Sequence, residues 1–240
     1  MPSLLVKVKS KAFLRARRKS RALLEGEYAS VFHGRSLDYD DLRTYVPGDE
    51  VRDIDWKATA RHASPLVKRY VAIREQRVLL VVDAGRGMAA LAESQETKAD
   101  VAIMACGIIG YLALRHGDKV GLLLGTALDN DTLAFQETEA QLELHLRAIQ
   151  KACTPAAAPS DLCVQLEYIA KSYRTRLLLF VVSDDRRLDP RMDALLRRLR
   201  VQHEIVWLTI ADADPTSVRA GSPAYDVGSS RIIQIGRAHV

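Results

Sequence analysis

The sequence predicts an α/β fold, with a mostly parallel sheet and helices on both faces. Two apolar runs, 78–82 and 177–182, are rich in Val and Leu and lack charge, which is typical of strands buried on both faces. Segments with helical character alternate with such strands, and this alternation indicates parallel crossover units. The predicted elements are strand 78–82, helix 97–115, strand 120–124, a hairpin piece at 130–136, helix 139–152, helix 161–173, strand 177–182, helix 190–201 and strand 204–210.

The charge is unevenly distributed along the 240 residues. The net charge is +5, but residues 1–25 hold eight basic residues and one acidic residue, which leaves the remainder at −2. This basic N-terminal arm is consistent with a solvated amphipathic helix. A contact with nucleic acid, an acidic membrane surface or an acidic protein is the alternative.

Four segments follow from composition and turn residues. They are a basic N-terminal helix at 1–25, a turn-rich β segment at 26–76, an α/β domain at 77–234 and a tail at 235–240. The tail matches one reading frame of a common sequencing-adapter oligonucleotide, which predicts an artefact that has truncated the true C-terminus. The alternative is a genuine short tail.

Cysteine usage and hydropathy predict a cytoplasmic chain without a membrane span. The cysteines show no Cys-x-x-Cys spacing, and no secretory signal precedes them, so we expect reduced thiols. The longest charge-free apolar segment, 101–114, is too short to cross a bilayer. Peripheral membrane contact through the basic arm stays open.

Oxygen-bearing side chains follow the predicted buried strands. Asp83 ends the first strand, Asp184 ends the later one, and Ser160 lies in a loop between them. Ligands of open parallel sheets bind at the carboxyl ends of strands, and such oxygens suit Mg²⁺. The alternative is that strand-end aspartates cap helices or hold turns.

The turn-rich segment contains a dense motif. A Pro-Gly turn is followed within a few residues by three aspartates, an arginine and a tryptophan. It predicts either a rigid insert that satisfies its own polar groups or an exposed recognition surface. Its candidate residues are Tyr45, Pro47, Gly48, Asp49, Arg52, Asp55, Trp56, Lys57 and Arg61.

This motif carries a family resemblance. The string Pro47-Gly48-Asp49-x-x-Arg52-x-Ile54-Asp55-Trp56-Lys57, followed by the strand to Asp83, resembles the bacterial family called domain of unknown function fifty-eight. The resemblance runs from about residue 26 to at least 187. It implies a von Willebrand factor A-like α/β domain, and a frequent association with MoxR-type AAA ATPases for which such proteins are thought to act as adaptors.

The resemblance also implies a metal-ion-dependent adhesion site, but the first loop of this chain departs from the sequence pattern of such a site. The first loop of such a site reads Asp-x-Ser-x-Ser, whereas this chain has Asp83-x-Gly85-x-Gly87. The second-loop hydroxyl would be Ser160 and the third-loop aspartate Asp184. Mg²⁺ binding should therefore be weak, and bare amides at Gly85 and Gly87 would offer a modest anion site.

These observations predict a non-enzymatic cytoplasmic adaptor that works with a MoxR-type ATPase in assembly or maturation of a client complex. We expect Gly85 and Gly87 to form the interaction surface together with the candidate residues of the motif. One alternative is an Mg²⁺-dependent hydrolase that uses Asp83 and Asp184. Another is nucleic-acid binding through residues 7–21, although this arm has only Phe13 for base stacking. No Ser-His-Asp or Cys-His arrangement is identifiable.

Overall fold

The computed structural model describes residues 3–15, 41–47, 49, 51, 54–62, 64–69, 76–185, 189–213, 224–227 and 231–233. The chain divides into two compact units. The first, here called the sheet unit, combines Met1–Arg21 with Gln76–Val240. The second, here called the insert, is Ala22–Glu75. The insert thus interrupts the sequence of the sheet unit.

The described part of the sheet unit contains a five-stranded sheet in the order β5-β4-β3-β6-β7. All neighbours pair in parallel except β5, which runs antiparallel to β4 at one edge. The predicted α/β class with a mostly parallel sheet is confirmed. The strands are β3 Arg77–Asp83, β4 Lys119–Gly125, β5 Asn130–Gln136, β6 Leu178–Asp184 and β7 Glu204–Ile210.

Helices cover both faces of this sheet because side chains of β3 alternate between them. Leu79 and Val81 are fully buried in a cluster with apolar residues of α5 and α6. Helices α3 and α4 pack against each other and against β4, on the opposite face. The four helices are α3 Lys98–Arg115, α4 Glu139–Ala152, α5 Leu162–Ser172 and α6 Pro190–Gln202.

The strand order creates a switch point between β3 and β6. From β3 the chain moves to β4 on one side, and it later returns to β6 on the other side. In sheets of this topology, ligands commonly bind at the carboxyl edge beside the switch point. This edge is where the predicted strand-end aspartates lie.

The N-terminal helix α1, Leu4–Arg15, packs against α3 and α4. Leu5 and Val8 are buried, and an atom at the Cβ position of Gly107 would lie 2.8 Å from Cγ2 of Val8. Gly107 therefore lets the two helices approach closely. Residues 16–25 of the predicted basic helix lie outside the described residues.

The insert contains a small antiparallel pair, β1 Asp41–Thr44 and β2 Leu66–Arg69, with a short helix α2, Trp56–Thr59, between them. These strands lie within the turn-rich β segment predicted at 26–76. The helix was not predicted, because four residues give no periodic pattern.

A short antiparallel hairpin, β8 Ala224–Asp226 with β9 Arg231–Ile233, lies near the C-terminal end. The tail 235–240 lies outside the described residues. Among the residues that the structure describes, no helix combines the length and the apolar character that a bilayer crossing needs.

Candidate functional site at the carboxyl edge of the sheet

Backbone hydrogen bonds tie three loops together at the carboxyl edge. The Ala84 amide donates to the Gly125 carbonyl at 2.8 Å, which joins the loops after β3 and β4. The Arg86 amide donates to Ala158 at 3.0 Å, and the Ala127 amide donates to Pro159 at 2.8 Å. The loop before α5 is therefore held against both strand ends.

Asp83 lies at the centre of this edge and is fully buried. Its Oδ1 accepts a hydrogen bond from the Gly85 amide at 2.8 Å, so the carboxylate holds the turn that follows β3. This bond also occupies an amide that the sequence predicted to be bare for an anion, and that prediction is wrong for Gly85. Gly87 is buried in the 3₁₀ turn Arg86–Ala89, where its carbonyl accepts from the Ala90 amide at 3.1 Å.

Gly85 is required by the close approach of Ser160. An atom at the Cβ position of Gly85 would lie 2.0 Å from Oγ of Ser160 and 2.6 Å from its amide nitrogen. Because part of the contact is backbone, a change of side-chain conformation at Ser160 cannot make room. The first two predicted ligand loops therefore do meet, but in a contact that excludes a side chain at position 85.

The third predicted ligand, Asp184, is paired with a lysine that sequence reasoning missed. Lys98 is 1% exposed, and its Nζ contacts Oδ1 of Asp184 and, at 2.5 Å, Oδ1 of Asp212. Asp184 ends β6, while Asp212 follows β7, so the ammonium bridges the ends of neighbouring strands. A buried ammonium is tolerated only when it is paired in this way.

The residues present do not fit the Mg²⁺ site that the resemblance implies. Asp184 Oδ1 accepts from the Asp185 amide at 2.8 Å in addition to contacting Lys98. Position 85 has no space for the missing serine, and Mg²⁺ requires near-octahedral oxygen geometry. Within the described ranges, no group of three His, Cys, Asp or Glu residues is placed to hold a metal ion.

A buried thiol lies beside the same strand end. Cys153 Sγ lies 3.8 Å from the carbonyl oxygen of Asp83. Burial, and to a lesser extent the negative charge of Asp83, raises the pKa of Cys153 to about 12. The thiolate is the reactive form, so Cys153 is suited to packing and unsuited to nucleophilic attack.

Two aspartates of the insert motif organise its backbone. Asp49 Oδ2 accepts from the Val46 amide at 3.0 Å, and the Asp49 amide donates to the Val46 carbonyl at 3.0 Å. Asp55 caps α2, since its Oδ1 accepts from the amides of Lys57 and Ala58, each at 3.0 Å. The Tyr45 amide donates to Pro65 at 2.8 Å, which anchors the other end of the turn. These carboxylates act within the fold of the insert.

The apolar residues of the motif, in contrast, point to solvent. Trp56 is 64% exposed, Val51 61% and Val46 54%. Contiguous exposed apolar patches mark interaction surfaces, and these three residues lie in one short stretch of the sequence. We call Val46, Val51 and Trp56 the apolar surface of the insert. Pro47, Lys57 and Arg61 are also exposed, whereas Gly48 and Arg52 lie outside the described residues.

The structure defines a class: a doubly wound α/β protein with a helix-flanked sheet and a separate insert that precedes β3. The chain belongs to the family described as "Protein of unknown function DUF58", whose model matches residues 41–225. That match includes the whole motif and the five-stranded sheet from β3 to β7.

Uncharacterized proteins of Mycobacterium bovis and of Mycobacterium tuberculosis are similar to this chain. Each is 27% identical over 201 residues, which is 83% of this chain and 62% of the relative. The chain therefore spans less than two thirds of the length of the curated relatives it matches.

Among solved structures, the SpRpn10 VWA domain matches with a TM-score of 0.38 and 7% sequence identity. The match covers 65% of this chain and 93% of that domain. A likeness of this size carries no argument, so the fold rests on the observed strand order.

Proposed function

We propose that this protein is a non-catalytic adaptor whose insert binds a protein partner through the apolar surface formed by Val46, Val51 and Trp56. The exposure of Trp56 supports this proposal most directly. Tryptophan is enriched among the residues that contribute most to protein interfaces. Here it is 64% exposed on a helix that Asp55 caps.

The backbone of the motif supports a rigid recognition surface. The hydrogen bonds of Asp49 and Asp55 hold the turn and the helix before any partner binds. A preorganised surface loses less conformational entropy on association, and more of the contact energy then appears as affinity. The motif's acidic residues and its apolar residues thus have different roles.

The partner we propose is a MoxR-type AAA ATPase, which the family resemblance suggests. Lys57 and Arg61 are exposed near Trp56 in sequence, so we expect the ATPase to present an apolar depression with carboxylates at its rim. The adaptor would link the ATPase to a client complex during assembly or maturation.

The two alternatives have less support. A hydrolase that used Asp184 with Mg²⁺ would have to release that carboxylate from Lys98. Nucleic-acid binding through the N-terminal arm would require free cations, but Lys9 contacts Glu139 and Lys11 contacts Glu96, each at 2.5 Å. These pairs direct two lysines of the arm toward the protein itself.

A binding experiment tests the adaptor proposal. The purified chain and a purified MoxR-type ATPase of the same organism are mixed with and without ATP, and the affinity is measured by interferometry. Trp56→Ala should weaken binding about 30-fold or more, as for an interface hot spot worth 2 kcal/mol. Leu128→Ala is the control, because Leu128 is 82% exposed but belongs to the sheet unit.

The outcomes separate clearly. Loss of binding with Trp56→Ala and retention with Leu128→Ala supports the proposed surface. If both variants bind the ATPase as tightly as the wild-type chain does, the insert is not part of the interface. Absence of any association of the wild-type chain with the ATPase, in either nucleotide condition, would reject the proposed partner.

A further inference from the structure

We propose that the ammonium of Lys98 is a permanent internal cation at the carboxyl edge, in the place where the family resemblance assigns a divalent metal ion. The carboxyl edge then keeps its shape without any metal. This inference concerns the chemistry of the sheet unit and does not depend on the partner of the insert.

The charges at the site support this role. The side chain of Lys98 is 1% exposed, while those of its partners are 13% exposed for Asp184 and 64% for Asp212. One buried positive charge therefore faces two carboxylates from the ends of β6 and β7. Asp184 is the aspartate that a divalent ion would need, and it already has a cation.

The backbone holds Lys98 and Asp212 in register. The Lys98 amide donates to the Ala90 carbonyl at 2.9 Å, at the start of α3. Ala92 forms an isolated antiparallel bridge with Asp212, and the Ala213 amide donates to Leu91 at 3.1 Å. The segment before α3 and the segment after β7 are thus paired, so the contact is preorganised.

The position of Lys98 in its helix strengthens the inference. A lysine in the first turn of a helix lies at the positive end of the helix dipole, where a cation is unfavourable. Burial adds a desolvation cost. Both costs are offset by the carboxylates of Asp184 and Asp212, so the charge of Lys98 is tied to this edge and is not a solvated surface charge.

A divalent ion is excluded by this arrangement. To reach Asp184 it would have to displace the ammonium, which would then be buried without its main partner. It would also lack the first-loop hydroxyl, because the backbone of Ser160 occupies the space beside Gly85. We therefore expect the wild-type chain to fold and melt independently of Mg²⁺.

The first test uses the wild-type chain and metal salts. Its thermal unfolding midpoint is measured in excess EDTA and in about 10 mM MgCl₂ or MnCl₂, at matched ionic strength, together with Mg²⁺ calorimetry. We expect equal midpoints and no saturable heat. A rise of the midpoint in Mg²⁺ that disappears in Asp184→Asn would overturn the proposal.

The second test is a double-mutant cycle with Lys98→Met and Asp184→Asn. Lys98→Met should lower the midpoint by roughly 10 °C, because it leaves Asp184 partly buried without its cation. Asp184→Asn alone should also lower it. In the Lys98→Met background, however, Asp184→Asn should raise the midpoint, because it removes the uncompensated charge.

The control is the exposed pair of Arg197 and Asp193, whose side chains are 79% and 49% exposed. Substitution of either residue should shift the midpoint by about 2 °C or less. Simple additivity of the Lys98 and Asp184 substitutions would refute their coupling. If Lys98→Met does not fold, Lys98→Gln, which also removes the charge but keeps a hydrogen-bond donor, replaces it in the cycle, and the wild-type metal test stands independently.

Discussion

Gly85 and Ser160 are in such close contact that an atom at the Cβ position of Gly85 would lie 2.0 Å from Oγ of Ser160 and 2.7 Å from its Cα. The contact joins the loop after β3 to the loop before α5. It explains why a glycine stands where a metal-binding first loop would have a serine. Any residue larger than glycine must push the two loops apart.

Gly85→Ser, which restores one hydroxyl of a metal-binding loop, should therefore destabilise the protein by about 2 kcal/mol or more. Urea unfolding measures this loss. The clash includes the Ser160 backbone, so adding Ser160→Gly to the Gly85→Ser variant should recover only part of the stability. An unchanged urea midpoint in Gly85→Ser would show that the loops separate easily.

Glu143 of α4 should hold α1 in place. Its carboxylate accepts from the Leu5 amide at 2.8 Å, the Leu4 amide at 3.0 Å and the Ser3 hydroxyl at 2.9 Å. Glu143→Ala should cost about 1–3 kcal/mol and increase hydrogen exchange in residues 4–11. Glu139→Ala, which removes only the exposed pair with Lys9, should cost less than about 1 kcal/mol.

The same contact should depend on pH. Burial raises the pKa of Glu143, but the amides of Leu5 and Leu4, with Ser3 and Arg147, outweigh it and lower the pKa below its ordinary value. A lowered carboxyl pKa stabilises the fold above the unfolded-state pKa and ceases to do so as the pH falls through the folded-state pKa. Acid-induced exchange in α1 that is the same in wild type and Glu143→Gln would contradict this role.

His145 should make the protein less stable in mild acid. His145 is fully buried, and this burial lowers its pKa to about 4, with only partial compensation from the Ala134 backbone. As the pH falls below the ordinary histidine pKa of 6.5, His145 is protonated in the unfolded chain before it is protonated in the folded chain. Stability should therefore fall by about 2–3 kcal/mol between pH 7 and pH 4.

Unfolding of a His145→Leu variant between pH 7 and pH 4 checks this prediction. The variant should lose less stability over that range than the wild type does. His62→Gln is the control, because His62 is exposed. A wild-type pH profile in His145→Leu would show that another group titrates.

All three cysteines should resist thiol reagents in the folded protein. Cys106, Cys153 and Cys163 are free and buried, and burial raises the pKa of each thiol. A chromogenic disulfide reagent should therefore label them only after denaturation, and then all three. Rapid stoichiometric labelling of the native chain would indicate a reactive thiol at the edge of the sheet.

Much of the sheet could be predicted because its strands carry a local signal. Residues 78–82 are apolar without interruption, and Asp83 marks the end of this apolar run. The Ser160 loop and Asp184 were also placed at the correct edge, because parallel strands end together. These features depend on periodicity and on general rules of topology.

The burial and pairing of Lys98 could not be predicted in the same way. A single lysine suggests a solvent-exposed side chain, and its partner Asp212 follows a strand that is distant in sequence. The remaining signal is weak: Lys98 opens a helix whose central part is apolar. Only the tertiary pairing of strand ends shows why the charge is there.

The contact between Leu4 and Glu143 has a consequence for protein synthesis. The two residues are 139 positions apart, and a ribosome adds about 5–20 residues per second. Residue Leu4 is therefore synthesised roughly 7–28 s before Glu143 is added. Until α3 and then α4 have been synthesised, Leu5 and Val8 lack the apolar surface that covers them in the folded protein, so this segment stays exposed early in synthesis.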